Sequence, residues 1–192
     1  MTNHSSGKMG LELAKEAYIR GSDLTVIEGN VSVRIPSMFN SVKVNTTEEM
    51  AKAVFELVPL HDIFIATAAV SDFKMSEFKD YKISSDNNLD IILEPTVKIL
   101  ANVKKINPEI FLVGFKALYN ASKEELVKSA YEQIENSDTD LVVANDVGAK
   151  FCNFGSDNNK VLIISDKVIE TPLLSKREIS KIIWDEIFKK IE

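Results

Sequence analysis

Ile63-Phe64-Ile65-Ala66-Thr67-Ala68-Ala69-Val70 is hydrophobic without alternation and breaks at once into polar Ser71-Asp72. A strand with one wet face alternates apolar and polar residues, whereas a strand covered by helices on both faces reads as a continuous apolar run. Residues 89–93, 111–115, 141–144 and 161–164 read the same way. Between these runs, helix starts declare themselves by a Ser or Thr followed three residues later by Glu: Thr46 with Glu49, Ser122 with Glu125, and Ser175 with Glu178. In each, the hydroxyl can accept from the third helical N–H while the carboxylate reaches back to the cap. Strand and helix therefore alternate, which predicts an α/β domain with a doubly wound, mostly parallel, Rossmann-like sheet.

The flanks fit that frame. Residues 11–19 carry apolar residues at helical spacing, residues 23–28 form a short β-branched strand bounded by Gly29, and residues 42–44 form another. Residues 30–40, with Pro36 and no clear period, read as loop. Residues 161–164 and 168–171 around Asp166-Lys167 predict a C-terminal hairpin that can close an edge or pair across a two-fold axis. The final helix, 175–191, places Ile179, Ile182, Ile183, Trp184, Ile187 and Phe188 on one core-facing stripe.

Composition narrows the function classes. With 192 residues, 45% of them hydrophobic, one sizeable core and a single domain over 1–192 are expected. A net charge of −6 without a clustered basic face argues against a nucleic-acid partner. The lone Cys152 excludes an intrachain disulfide framework and reads as a small half-buried thiol in a reducing compartment. No apolar run approaches the ~20 residues of a membrane span, and the start lacks the apolar core of a signal peptide, so a cytoplasmic protein is expected.

Ligands of doubly wound sheets bind at the carboxyl ends of the strands. Here the expected exits are Ala68-Ala69-Val70-Ser71-Asp72, Gly114-Phe115-Lys116 and Ala144-Asn145-Asp146. Residues 71–88 are polar and long for a connection, as lids and binding loops are. Lys82 lies among them, and on residue type alone reads as a solvated lysine. Asn3-His4-Ser5-Ser6-Gly7-Lys8-Met9-Gly10 is a polar loop feeding a helix N-terminus, a place where free N–H groups and the helix dipole receive phosphate or carboxylate. The alternative for Ser5-Ser6-Gly7 is plain helix capping at a frayed end.

Nucleotide-site templates fail. Thr2 stands where a Walker A loop needs glycine and Met9 follows Lys8, and no G-x-G-x-x-G occurs. Tyr119-Asn120-Ala121-Ser122-Lys123 copies the Tyr-x-x-x-Lys pair of short-chain dehydrogenases, but the Ser122 capping box puts Tyr119 ahead of the helix, as a partly buried loop aromatic.

Taken in order, Asn3 to Gly10, Thr47-Glu48-Glu49-Met50, Ala68-Ala69-Val70-Ser71-Asp72-Phe73, Lys82-Ile83, Val113-Gly114-Phe115, Val142-Val143-Ala144-Asn145-Asp146-Val147 and Phe154-Gly155-Ser156-Asp157-Asn158-Asn159 resemble the phosphopantothenoylcysteine synthetase family. The resemblance spans essentially the whole chain. It implies a ligase that joins 4′-phosphopantothenate to cysteine through an acyl-nucleotidylate, with CTP or ATP as co-substrate and Mg²⁺ carried by the nucleotide phosphates. It implies that Asn3 holds the acyl intermediate, that Lys82 neutralises the triphosphate, and that Asp72 meets the nucleotide at its ribose. It further implies that Phe115 lies against the nucleotide, that the Ala66, Thr67 and Ala68 backbone lines the pocket, and that Ser5, Ser6 and Gly7 hold the substrate phosphate or acyl phosphate. Family members are homodimers.

Three departures stand out. CTP-using members carry lysines shortly before the strand at 141–144, where this chain has Gln133-Ile134-Glu135-Asn136-Ser137-Asp138. The bacterial Asn-Pro-Asp-Ile is replaced by Glu94-Pro95-Thr96-Val97. The family also begins with a strand and a Gly-Gly-Thr turn before the asparagine, and this chain begins at Met1 with neither. That strand is central, so its neighbours are expected to face an empty slot, unless they close up. The chain then reads as a ligase, as a piece of a fused decarboxylase/ligase, or as a non-catalytic nucleotide-binding relative.

Overall fold

The computed structural model describes residues 5–77, 90–149 and 155–191. Helix α1 (Lys8–Ile19) leads through left-handed Gly21 to β1 (Thr25–Glu28). There follow β2 (Asn40–Lys43), α2 (Thr47–Leu57), β3 (Ile63–Ala66), β4 (Phe73–Met75), β5 (Leu93–Pro95), α3 (Leu100–Ile106), β6 (Phe111–Leu118), α4 (Lys123–Ser137) and β7 (Leu141–Asp146). The chain ends with β8 (Asn158–Asn159), β9 (Leu162–Ile164), β10 (Val168–Glu170), β11 (Leu174–Ser175) and α5 (Lys176–Ile191).

The main sheet runs β10-β9-β7-β6-β3, with β3, β6 and β7 parallel and the β9–β10 hairpin antiparallel at one edge. Its strands are apolar on both faces because both faces are covered. On one face Val113, Val143 and Ile163 pack with Leu13 and Ala17 of α1 and Ile179, Ile183 and Ile187 of α5. On the other, Leu112 and Ile110 meet Val54 and Val58 near α2 and Val103 of α3, while Val142, Ala144 and Ile164 meet Leu126 and Ala130 of α4. Helices α1 and α5 are further fastened by Trp184, whose Nε1–H donates to the Leu13 carbonyl at 3.0 Å, and by Arg20, which bonds Glu16 at 3.0 Å and Asp185 at 2.7 Å.

All three helix starts expected from hydroxyl and carboxylate spacing form. Ser122 and Glu125 make the reciprocal pair. Ser175 and Glu178 do the same. At α2, Thr46 Oγ1 accepts from Glu49 N–H at 3.1 Å, but the Glu49 carboxylate accepts from Asn45 N–H, one residue further back.

Strands β1 and β2 form a separate parallel pair. Among the described residues no strand pairs with the other edge of β1 or with the outer edge of β3. Between them lies a cleft of about 2240 Å³, walled by α1 residues such as Leu13 and Ala17 and by α2 residues such as Met50 and Val54. The neighbours of the expected central strand therefore stay apart.

Four expectations are corrected. Residues 90–93 do not join the parallel sheet: Leu93 enters β5, which pairs antiparallel with β4, and Ile92 is 73% exposed. Residues 71–77 likewise are not all loop, since β4 lies within them. Gly114-Phe115-Lys116 is not a strand exit, because β6 continues to Leu118; a Cβ on Gly114 would stand 1.9 Å from Gln133 Nε2, so the glycine admits an α4 side chain against the strand. Tyr119 lies ahead of α4 as the capping box requires, but is 75% exposed rather than partly buried.

Candidate active site

The Ser5-Ser6-Gly7 turn opens α1 with Gly7 at φ 78°, a conformation nearly free of cost only for glycine. Packing adds a second constraint, for a Cβ there would stand 2.9 Å from Val31 Cβ and from Val33 Cγ2. Ser5 Oγ accepts from the Gly7 N–H and Ser6 Oγ from the Lys8 N–H, each at 3.4 Å, and Ser32 Oγ donates to the Ser6 carbonyl at 3.2 Å. The two bonds to the backbone N–H groups are long, so an anion at the helix start can take those donors over at small cost.

The exit of β3 meets this turn. A Cβ on Gly10 would lie 2.8 Å from Thr67 Oγ1, so the first turn of α1 rests directly against the Thr67 side chain. Phe115 comes from the middle of β6, packs partly into the core beneath α1 and α5, and lines the same cleft. Asp72 also lines it, beyond the β3 exit. The cleft thus gathers Ser5, Ser6, Gly7, Ala66, Thr67, Ala68, Asp72 and Phe115. Asn3 and Lys82 lie outside the described residues, as does Cys152.

Sequence reasoning missed what holds the Asp72 end. The Asp72 carboxylate is paired with Lys98 Nζ at 2.5 Å, both side chains being largely exposed. Thr96 fixes the backbone beneath: its Oγ1 donates to the Ser71 carbonyl at 2.6 Å and its N–H to the Asp72 carbonyl at 3.0 Å. Thr96 belongs to the segment that departs from the bacterial pattern, and that departure was the only local signal of a changed contact. Nearby, Lys74 sits 2.9 Å from Glu48 and 3.2 Å from Glu94. The hydrogen bond from Lys74 holds the Glu48 carboxyl below its ordinary range, and the bond to Glu48, then that to Glu94, raise Lys74.

At the other end of the cleft a second cationic tie was also missed. Lys8, the first residue of α1, bonds Asp157 Oδ1 and the Gly155 carbonyl, each at 2.7 Å. That bond lowers the Asp157 pKa. Chemically, the cleft offers backbone donors at a helix start, an aromatic wall and charged groups at both ends, which suits an extended anionic ligand.

Comparison with known proteins gives this geometry a lineage. The family model described as DNA/pantothenate metabolism flavoprotein C-terminal domain matches residues 1–191. The chain belongs to this family. A coenzyme A biosynthesis bifunctional protein CoaBC of Thermococcus kodakarensis is 43% identical over 195 residues, covering 100% of this chain and 47% of that protein. The chain therefore spans about half the length of the curated relatives it matches. Among solved structures, the C-terminal domain of a CoaBC protein superposes with a TM-score of 0.81 at 28% identity, covering 100% of this chain and 86% of that one. A DNA/pantothenate metabolism flavoprotein from Streptococcus pneumoniae superposes with a TM-score of 0.85 at 23% identity, covering 99% and 91%, and shares the fold.

Proposed function

We propose that this chain carries the phosphopantothenate–cysteine ligase step of coenzyme A biosynthesis. The observation that supports it is the meeting of the Ser5-Ser6-Gly7 turn with Ala66-Thr67-Ala68 over one cleft, in a chain similar along its whole length to CoaBC proteins. In this reading the turn holds the phosphate or acyl phosphate, Phe115 packs on the nucleotide, and Asp72 leaves Lys98 to meet the ribose. Asn3 orients the acyl intermediate and Lys82 neutralises the triphosphate.

Both half-reactions build negative charge, on phosphate and then on a tetrahedral acyl centre. Fixed donors and cations therefore do most of the catalytic work, and losing one such donor typically costs about 10²- to 10³-fold in rate. The nucleotide, CTP or ATP, arrives with Mg²⁺ in this reading. In this reading the nucleotide phosphates carry the Mg²⁺; among the described residues no group of three or more His, Cys, Asp or Glu side chains could hold a metal ion.

The reading extends to organisation. Residues 1–192 form one nucleotide-binding ligase domain; in this reading the family's first strand sits in the part of the cleft between β1 and β3, and the ligand takes the part lined by the Ser5-Ser6-Gly7 turn and residues 66–72. A homodimer forms, and the outer edge of β10, which pairs with no described strand, is where it can join. The setting is the cytoplasm; among the described residues no helix is long and apolar enough to cross a membrane.

The test is pyrophosphate release by the whole chain with 4′-phosphopantothenate, cysteine and each triphosphate in turn. Release that requires both 4′-phosphopantothenate and one triphosphate supports the ligase. Nucleotide binding without turnover replaces it with the non-catalytic relative.

A further inference from the structure

The segment Gly155-Ser156-Asp157 is held by the opening residues of two helices. Lys8, first in α1, donates to the Gly155 carbonyl and to Asp157 Oδ1, both at 2.7 Å. Lys176, first in α5 and only 6% exposed, donates through Nζ to the Ser156 carbonyl at 2.5 Å and through its backbone N–H to the Asp157 carbonyl at 2.9 Å. Three consecutive carbonyls and one carboxylate are thus bound by two lysines whose helices pack side by side. Beyond the segment, β8 pairs with β11, and buried Asn159 reaches buried Asn145 at the end of β7 at 3.5 Å.

A lysine at the first position of a helix opposes the helix dipole. No acidic residue in the first turn of α1 offsets Lys8. Its compensation comes from Asp157, 149 residues away in sequence. The other contacts at this end of α1 are uncharged: Val31 and Val33 stand against Gly7, Thr67 against Gly10, Ser32 Oγ donates to the Ser6 carbonyl at 3.2 Å, and Met9 packs on the core, so none of them offsets the Lys8 ammonium.

We propose that Lys8 is a positioning residue: through Gly155 and Asp157 it seats the first turn of α1, and with it the Ser5-Ser6-Gly7 turn, and it neutralises a carboxylate that would otherwise repel an anionic substrate at that turn. The substrate named here rests on the ligase reading; the seating of α1 does not. The effect has two separable parts. Removing the ammonium both loosens the helix start and strips Asp157 of its hydrogen-bonded cation, leaving only the weaker pull of Lys176 on a carboxylate held beside the start of α1.

The experiment uses the full chain and the variants Lys8→Met, Lys8→Arg and Lys8→Met/Asp157→Asn. Hydrogen exchange at the Leu11 amide, which bonds the Gly7 carbonyl at 2.9 Å, reports the helix start. Calorimetric titration with 4′-phosphopantothenate reports the site, and unchanged Trp184 emission reports an intact α1–α5 contact. Lys8→Met is expected to speed Leu11 exchange about fivefold and weaken binding by a similar factor, from an exposed ion pair combined with a helix-terminal charge. Lys8→Arg is expected to keep both values. Asp157→Asn, added to Lys8→Met, is expected to restore part of the affinity without restoring slow exchange, a split that a merely structural role cannot produce. Unchanged Leu11 exchange, or unchanged affinity in Lys8→Met, overturns the proposal. If the native chain does not bind 4′-phosphopantothenate, the ligase reading falls and Leu11 exchange alone decides the seating of α1.

Discussion

The two parts of the sheet are built from similar sequence and end differently. Within the main sheet β6, β7 and β9 are paired along both edges, and Val113 and Val142 on them, like Ile183 of α5 packed against them, are fully buried. Across the cleft, β1 and β2 pair only with each other, and every residue of β1 remains half-buried. Both parts have helices over them. The difference is the ladder, since a strand needs covered faces and a paired edge before its burial is complete.

The largest expected effects separate these parts directly. Ile183→Ala, beneath the complete ladder, should cost about 2–5 kcal/mol in urea unfolding, because the surrounding core cannot collapse into the void. Val26→Ala in β1 should cost clearly less, about 1 kcal/mol, since its side chain is only partly buried. Equal losses would mean that β1 is as well packed in solution as the main sheet. An N-terminal extension bearing the family's strand and Gly-Gly-Thr turn should make the two parts alike. It adds backbone hydrogen bonds at about 1 kcal/mol each, should raise the melting point by roughly 2–4 °C per kcal/mol, and should slow amide exchange in both β1 and β3. Stabilisation without protection of both edges would show that the cleft is not its seat.

A smaller effect concerns the turn that joins the cleft to α1. Gly7→Ala meets both a positive φ and 2.9 Å contacts with Val31 and Val33, so a loss of about 1–3 kcal/mol is expected. Gly21→Ala has φ 84° but open space around it, and should show only the conformational part, about 1 kcal/mol. The comparison by thermal unfolding isolates the packing of the Ser5-Ser6-Gly7 turn. If the two variants lose the same stability, Val31 and Val33 do not confine it.

Most of the frame was legible because its signals are local. A hydroxyl three residues before a carboxylate placed α2, α4 and α5, and uninterrupted apolar runs placed β3, β6, β7 and β9. What failed was context. The apolar Ile91 and Ile92 read as a buried strand, yet the sequence holds no mark of what would cover them, and they lie exposed beside β5. Gly114 read as the end of a strand, although its role is to admit Gln133 from α4, a partner nineteen residues on. At the candidate site, the turn, the β3 exit and Phe115 were readable from motif order. Lys98 beside Asp72 and Lys8 on Asp157 were not, because ion pairs spanning 26 and 149 residues leave no local pattern.

The smallest expected effect lies at the outer edge of the complete ladder and bears on whether that edge is held by charge. Glu170 in β10 receives Lys123 and Lys160, each at 2.6 Å, and the bond from Lys123, then that from Lys160, pull its pKa from 4.5 to about 2. A carboxyl whose pKa falls on folding stabilises the fold above its unfolded value and loses that contribution as pH drops through its folded one. The window is therefore from about 4.5 down to about 2. Because the group is exposed, salt and solvent screen it, and the shift in melting point should stay within about 2 °C. Glu170→Gln should lower the melting point at pH 7, and the gap from the native chain should close as pH falls across that window. Added salt should shrink the gap at neutral pH. A gap that persists unchanged at pH 2 would mean that Glu170 holds β10 by packing rather than by its charge, and that the complete part of the sheet owes its edge to the β9 ladder alone.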